Sequence, residues 1–239
     1  MNRYTFFRPL LLGALVLAML LAGGAQHPAT AAAATAASPA TTTSDQPALS
    51  SALSQVPTSA LSAAEIEGLL YMREEEKLAH DVYLTLYEKW RLPIFQNISN
   101  SEATHMAAVK TLLDRYSLPD PAAGKGVGQF SNATLQALYA QLLQQGSQSL
   151  ASALRVGGAI EEIDILDLQE RLANTDHKDI QTVYENLQKG SRNHLRSFVS
   201  TLQTQTGETY QPQYLSQADY EAIINSPMEG GRGGRSGRE

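Results

Sequence analysis

The sequence predicts an all-α fold, and three observations lead to this prediction. Apolar residues recur at spacings of three and four along four long segments, which is the period of an amphipathic helix. No alternating strand pattern of useful length occurs in the 239 residues. Gly, Pro and small polar residues, which favour turns and helix caps, separate the periodic segments. We therefore expect a bundle of four long helices with two shorter ones.

The first two long helices, A and B, are predicted to form an antiparallel pair. Helix A begins after Ser62, a residue suited to cap it together with Glu65, and runs to about Trp90. Helix B opens at Pro93, which a first helical turn tolerates, and is expected to end at Leu118-Pro119. The turn between the two helices is so short that they must run in opposite directions.

The second pair, C and D, follows a long connection that contains its own short helix. A tight turn joins C to D, so this pair is also antiparallel. The long B-to-C connection allows the chain to cross over along the bundle. The predicted bounds are 132–145 for the connecting helix, 147–173 for C, 176–203 for D and 217–225 for a short C-terminal helix.

Both ends of the chain differ in composition from this helical part, which is predicted to be one domain at 59–227. Arginines, an uninterrupted apolar run and then small residues are typical of a secretory signal peptide over residues 1–25. Its apolar core is shorter than the roughly twenty residues that span a bilayer, so we expect export to the periplasm or cell exterior without stable membrane insertion. Residues 26–58, rich in Ala, Thr, Ser and Pro, are predicted to be a disordered linker, and 228–239 a flexible Gly/Arg tail.

The composition narrows the classes of function. The chain has no Cys, which excludes disulfide bonds and thiolate ligation of zinc or iron–sulfur clusters. The net charge is -6, and removal of the predicted signal peptide with its two arginines makes the remainder more negative. An acidic protein of this kind is not expected to have nucleic acid as its main partner. Any metal must be held by Glu, Asp and His.

Polar and ionisable residues lie on the inward, apolar stripes of all four predicted long helices. At about 1.5 Å of rise per residue, counted from the nearest turn, they fall within roughly 14 Å of one another along the bundle axis. A water-free bundle interior rarely holds such groups unless a metal or a dense hydrogen-bond network compensates them. The pattern therefore suggests a metal site inside the bundle. The residues of this layer are Glu76, Glu102, His105, Glu161, Asp164, Ser191 and His194.

Helices A and B resemble the first two helices of the ferritin-like superfamily, with the rubrerythrin branch as the nearest characterised comparison. The resemblance implies a ferritin-like four-helix bundle with the long B-to-C crossover. The motifs that carry it are Glu76-x-x-Ala79-x-x-x-Tyr83 on helix A and Phe95-x-x-Ile98-x-x-x-Glu102-x-x-His105 on helix B.

A fuller set of motifs resembles the uncharacterised, ferritin-related domain-of-unknown-function family 2202. The resemblance covers about Ser62 to Gln203, and these motifs are specific, but the activity of that family is not established. The motifs are Arg73-Glu74-Glu75-Glu76-Lys77, Ile160-Glu161-Glu162-Ile163-Asp164-Ile165 and Gly190-Ser191-Arg192-Asn193-His194-Leu195.

The superfamily pattern also implies a set of metal ligands. In a symmetric site the fourth helix would repeat Glu-x-x-His, but Ser191 stands at that Glu position, and Asp164 is the candidate for the missing carboxylate. Glu75 and Glu162 are register alternatives to their neighbours. The implied ligands are Glu76, Glu102, His105, Glu161, Asp164 and His194.

Two functions of different classes follow. Carboxylate and imidazole ligands suit Fe or Mn, and the resemblance implies two such ions with ferroxidase or peroxidase-like chemistry toward O₂ or peroxide. The alternative is a metal-free helical binding module in which the polar layer is a buried ion-pair network. Its counter-charges would come from Arg73, Lys77, Arg192 and Arg196. No residue is assigned a catalytic role, and the sequence does not determine the oligomeric state.

Overall fold

The computed structural model describes residues 60–230, so the predicted signal peptide, the linker and most of the tail lie outside the described residues. The described chain is all helical, without strands, which confirms the predicted fold class. None of its helices is long and apolar enough to cross a membrane. The helices are α1 (Ala63–Trp90), α2 (Pro93–Arg115), α3 (Ala133–Gly146), α4 (Leu150–Ala173), α5 (Lys178–Thr206) and α6 (Gln217–Ile224).

The N-terminus of α1 has the capping box that the sequence predicts. The Ser62 hydroxyl accepts the backbone N–H of Glu65 at 3.2 Å, and the Glu65 carboxylate accepts the backbone N–H of Ser62 at 2.8 Å. Helix α1 ends at Trp90, and the following residue, Arg91, caps it with a left-handed φ of 53°. This reversal allows α2 to begin at Pro93 and to run back along α1.

The observed bounds of three helices differ from the predicted ones by a few residues. Helix α2 ends at Arg115 rather than at Leu118-Pro119, because Ser117 adopts a left-handed φ of 54°. Helix α4 begins after 147, because the Ser149 side chain accepts the backbone N–H of Ser152 and caps the helix there. Helix α5 is shifted to Lys178–Thr206, and Gly207 ends it with a φ of 73°.

The four long helices pack as a ring around a shared interior. Helices α1 and α2 form one close antiparallel pair and α4 and α5 the other, and α2 also contacts α5 while α1 contacts α4. Helix α3 joins the pairs by packing against α1 and α4. An aromatic group of Tyr83, Phe95 and Phe198, with ring centroids 5.1 and 5.9 Å apart, fills part of the interior.

Glu65 links the start of α1 to the turn between α4 and α5. Its Oε1 accepts the Thr175 hydroxyl at 2.6 Å and lies 2.6 Å from Nδ1 of His177. Burial acts to raise the pKa of Glu65, but the hydrogen bonds from Thr175, Ser62 and His177 outweigh burial and lower this pKa to about 2. The ionised carboxylate is therefore part of the folded structure.

We expect Glu65→Gln to lower the free energy of unfolding at neutral pH by about 1–3 kcal/mol, because it removes a charged acceptor of several hydrogen bonds. Since the folded-state pKa lies below the usual 4.5, this contribution is present above pH 4.5 and is lost as the pH falls toward 2. Urea unfolding of both proteins across that range measures it. Glu88→Gln, at an exposed position of the same helix, is the control. A difference that did not shrink with acid would contradict the prediction.

Candidate metal centre

Five of the six residues implied as metal ligands come together in the interior of the bundle. They form two groups of three, and the candidate ligand atoms of each group lie within 4.8 Å of one another. Such spacing suits neighbouring ligands of one ion, because bonds from Zn²⁺ to N and O, for example, are about 2.0–2.2 Å long. The first group is Glu76, Glu102 and His105, and the second is Glu102, Glu161 and His194.

Glu102 belongs to both groups and lies between the two imidazole rings. Its Oε2 is 2.7 Å from Nδ1 of His105, and its Oε1 is 2.8 Å from Nδ1 of His194. The two rings are stacked with their centroids 5.5 Å apart. Glu102 and His105 are one turn apart on α2 and so meet the same interior face, which His194 reaches from α5. One carboxylate, 2% exposed, thus connects the two groups.

An outer carboxylate completes each group. Oε2 of Glu76, on α1, is 3.2 Å from Nδ1 of His105, and Oε2 of Glu161, on α4, is 3.4 Å from Nδ1 of His194. The Tyr83 hydroxyl donates to Oε1 of Glu161 at 2.5 Å, which leaves Oε2 facing the imidazole. In each group the shared carboxylate and the outer carboxylate therefore converge on the same imidazole atom, Nδ1.

Two small residues position the imidazole rings. Nε2 of His194 lies 3.0 Å from the Ser101 hydroxyl, and an N–H donated there leaves the Nδ1 lone pair for a ligand. At Gly190 a Cβ atom would lie 2.6 Å from Cε1 and Nε2 of His105. The His105 ring therefore fits against α5 only because this position has no side chain.

Asp164, the sixth implied ligand, is buried near these groups but belongs to neither. Its Oδ2 is hydrogen-bonded to the Ser191 hydroxyl, while its Oδ1 has no hydrogen-bond partner among the described residues. Burial raises the pKa of Asp164 well above its usual value, and the charge of Glu76 adds to this effect. Ser191, where a symmetric site would have Glu, thus holds a carboxylate that comes from α4.

Both register alternatives lie outside the centre. Glu162 points to the segment that follows α5, where it accepts the backbone N–H groups of Gln213, Tyr214 and Leu215 at 2.9, 2.6 and 2.8 Å. Glu75 faces α4, where the charge of Asp167 acts on it. The inward residues are therefore the ones implied by the resemblance.

Burial and the neighbouring charges have opposite effects on the pKa of each ionisable group in the centre. Burial raises the pKa of Glu76 to about 7, although the nearby His105 acts against it, and burial also raises the pKa of Glu161. Burial would raise the pKa of Glu102 as well, but His194 and His105 outweigh burial and lower it. Burial acts to lower the pKa of His194, yet Glu102 and Glu161 raise it to about 10. A cation that binds to these atoms must therefore displace protons.

The centre and the adjacent Asp164 bring more carboxyl groups together than imidazoles, and several of their atoms lack hydrogen bonds. Three buried carboxyl groups of the two ligand groups and the nearby Asp164 make four, beside two imidazoles. Two divalent ions with neutral imidazoles would balance those four carboxylates completely. Although Glu102 and His194 approach to 2.8 Å, their facing atoms are not aligned as a hydrogen bond. The buried atoms without a partner in the described chain are Oε1 of Glu76, Oε1 of Glu102, Oδ1 of Asp164 and Nδ1 of His194.

The four basic residues expected as counter-charges in a metal-free network pair elsewhere, so that part of the alternative prediction was wrong. They hold the 117–132 connection and the C-terminal segment against the bundle rather than entering its polar layer. The pairs are Arg73 with Asp120 at 3.1 Å, Lys77 with Asp81, and Arg192 and Arg196 with Glu229 at 2.6 and 3.1 Å.

Sequence patterns did not reveal the roles of Ser101 and Gly190. The sequence does contain a signal at Gly190. A glycine inside a helical pattern lowers helix stability, so its presence there indicates close packing against a neighbour. Ser101 carries only a weak signal, since a serine on a helix usually faces solvent or its own backbone. Tyr83 was part of the motif on helix A, but its hydrogen bond to Glu161 depends on packing between α1 and α4.

The fold and this cluster define an all-α protein with a buried carboxylate–imidazole centre. The family model of an uncharacterised protein domain, DUF2202, matches residues 65–227, a range that includes every residue of the centre. The chain belongs to this family, as the motifs predicted.

Known relatives are similar over most of the chain. The uncharacterised protein MJ0754 of Methanocaldococcus jannaschii is 52% identical over 179 residues, which are 75% of this chain and 96% of that protein. The crystal structure of hypothetical protein MJ0754 from Methanococcus jannaschii matches with a TM-score of 0.71 at 52% identity, covering 73% of this chain and 99% of that one. The similarity therefore extends through the helical domain, and these names state no activity.

Proposed function

We propose that this protein is a ferritin-like metal protein that binds two Fe or Mn ions in its bundle interior. Glu76, Glu102 and His105 hold one ion, and Glu102, Glu161 and His194 hold the other. The observation that carries this proposal is that one buried carboxylate, Glu102, has an imidazole nitrogen within 3 Å of each of its oxygens. A carboxylate between two imidazoles on neighbouring helices is suited to bridge two ions.

The donor set favours hard or borderline metals. The two groups offer carboxylate oxygens and imidazole nitrogens, and the chain has no Cys to supply a thiolate. Such ligands suit Fe and Mn. When bound, either metal supplies one-electron redox chemistry toward O₂ or peroxide, which corresponds to a ferroxidase or peroxidase-like activity.

The residues around the centre have roles that fit this chemistry. Tyr83 and Phe198, both fully buried, exclude bulk water at one end of the polar layer. Ser101 fixes the tautomer of His194, and Tyr83 fixes the orientation of Glu161. Export through the predicted signal peptide, which is part of the proposal, would put the centre in the periplasm or outside the cell.

Metal content tests the proposal directly. We expect about two Fe or Mn ions per chain after incubation and desalting, and loss of both in Glu102→Ala/His105→Ala, because the bridging carboxylate and one imidazole are removed. Elemental analysis measures the content, and thermal unfolding should show that metal raises the melting temperature of the wild type. Fe(II)-dependent consumption of O₂ or peroxide tests the activity separately.

Glu88→Ala/His80→Ala, which removes one carboxylate and one imidazole outside the centre, is the matched control and should keep its metal. A wild-type protein that bound no Fe, Mn or Zn, and whose melting temperature no metal changed, would contradict the proposal and favour the metal-free module.

The asymmetry at Ser191 allows a second prediction. We expect Asp164→Ala to weaken binding of at least one ion by about tenfold or more, which is about 1.4 kcal/mol. Adding Ser191→Glu to that variant should restore the affinity, because it moves the carboxylate to the position where a symmetric site has one. Titration with Mn(II), followed by electron paramagnetic resonance, measures both affinities. If Asp164→Ala bound metal like the wild type, Asp164 would not be a ligand.

A further inference from the structure

A second line of polar residues runs along the contact between α1 and α4, from the metal centre to the surface. On α1 the residues are spaced by four, and on α4 by three and four, so each set lies on one face of its helix. We call these residues the α1–α4 polar seam. They are Glu67, Tyr71 and Glu75 on α1, and Asp164, Asp167 and Arg171 on α4.

The outer end of the seam is closed by an ion pair. Nη1 of Arg171 is 3.0 Å from Oε2 of the exposed Glu67, and its guanidinium lies over the Tyr71 ring at 5.1 Å. Deeper in the seam Glu75 and Asp167 are both buried, and the charges of Asp167 and Asp164 both act on Glu75. The charge of Glu76, a member of the metal centre, acts in turn on the buried Asp164.

The inner part of the seam has buried oxygens that no hydrogen bond satisfies. Two ionised carboxylates are both acceptors and cannot form a hydrogen bond with each other. When they are buried side by side, a cation or a proton must stabilise them. Tyr71 is a separate case, since its hydroxyl is buried beside them and has no acceptor in hydrogen-bond geometry. The buried atoms without a partner among residues 60–230 include both carboxylate oxygens of Glu75, Oδ2 of Asp167, Oδ1 of Asp164 and the Tyr71 hydroxyl.

The seam also meets the surface at an open cavity. This cavity has a volume of about 410 Å³ and lies between α1 and the 117–132 connection, where Glu67, Tyr71 and Glu74 line it together with mostly apolar side chains. Tyr71 therefore lies between the cavity and the acidic pair of Glu75 and Asp167. Arg171 supplies one positive charge and pairs with Glu67, so the buried carboxyl groups of Glu75 and Asp167 have no ion-pair partner in the described seam.

We propose that the α1–α4 polar seam is the route by which divalent cations pass between the surface cavity and the metal centre, with Glu75 and Asp167 as a transient binding site. This inference rests on the proposed function, because a route requires a centre to load. Separation of Arg171 from the exposed Glu67 opens the outer end. Asp164, which faces both the seam and the centre, passes the ion inward.

Loading kinetics with Co(II) test the route, because visible absorption of the bound ion reports arrival at the centre. We expect Glu75→Gln/Asp167→Asn to slow loading about tenfold or more, since carboxylates that attract a cation raise its rate of entry. Removal of bound Co(II) by a chelator should slow by a similar factor, because a route serves both directions. The equilibrium affinity and the stoichiometry should stay those of the wild type.

Glu88→Gln/Glu185→Gln, which removes the same charge at exposed positions of α1 and α5, should load at the wild-type rate. Tyr71→Phe, which removes only a hydroxyl, should also slow loading. This variant replaces the double variant in the test if the double variant does not fold. Wild-type rates in the seam variants would overturn the inference and favour entry beside His105 and His194. A lower affinity with unchanged loading rate would also overturn it. A wild-type protein that took up no Co(II) would instead count against the proposed function.

Discussion

The interior of this protein depends on one buried carboxylate, that of Glu102, and on the groups that compensate its negative charge. Four long helices bring ionisable groups to the same depth, and this carboxylate is the only one shared by both candidate ligand groups of the described chain. Its two oxygens face imidazoles that belong to α2 and α5, so its environment links the two antiparallel pairs. Without compensation, a fully buried charge of this kind would cost several kcal/mol. The compensating charge therefore determines both the stability of the bundle interior and what the interior can bind.

Neighbouring carboxylates have different roles because successive residues of a helix point about 100° apart. Glu74 accepts the backbone N–H of Asn132 at 2.9 Å and holds the connection to α3, while Glu75 faces α4 and Glu76 faces the centre. On α4, Glu161 points inward whereas Glu162 binds the segment after α5. The consecutive residues Glu74, Glu75 and Glu76 could be mistaken for a solvated surface, but each of them has a different environment. This difference explains how carboxylates with different partners lie close together along one helix.

Much of the fold could be predicted from local signals, and the site only in part. The 3.6-residue period, Ser62 with Glu65, Pro93 and the Gly- and Pro-rich connection locate the helices to within a few residues. Helical spacing puts Glu102 and His105 on one inward face. The sequence could not show that Ser191 binds Asp164, or that Arg73 and Lys77 pair with Asp120 and Asp81. These contacts depend on how the whole bundle and its long connection pack.

The central claim is that Glu102 bridges two metal ions rather than two protonated imidazoles. Anomalous X-ray diffraction from crystals grown with Mn(II), recorded at the Mn absorption edge, tests it most directly. The account predicts two anomalous peaks inside the bundle, one between Glu76 and His105 and the other between Glu161 and His194, each within coordination distance of Glu102. An interior without anomalous peaks, in which that carboxylate accepts hydrogen bonds from two protonated imidazoles, would contradict it.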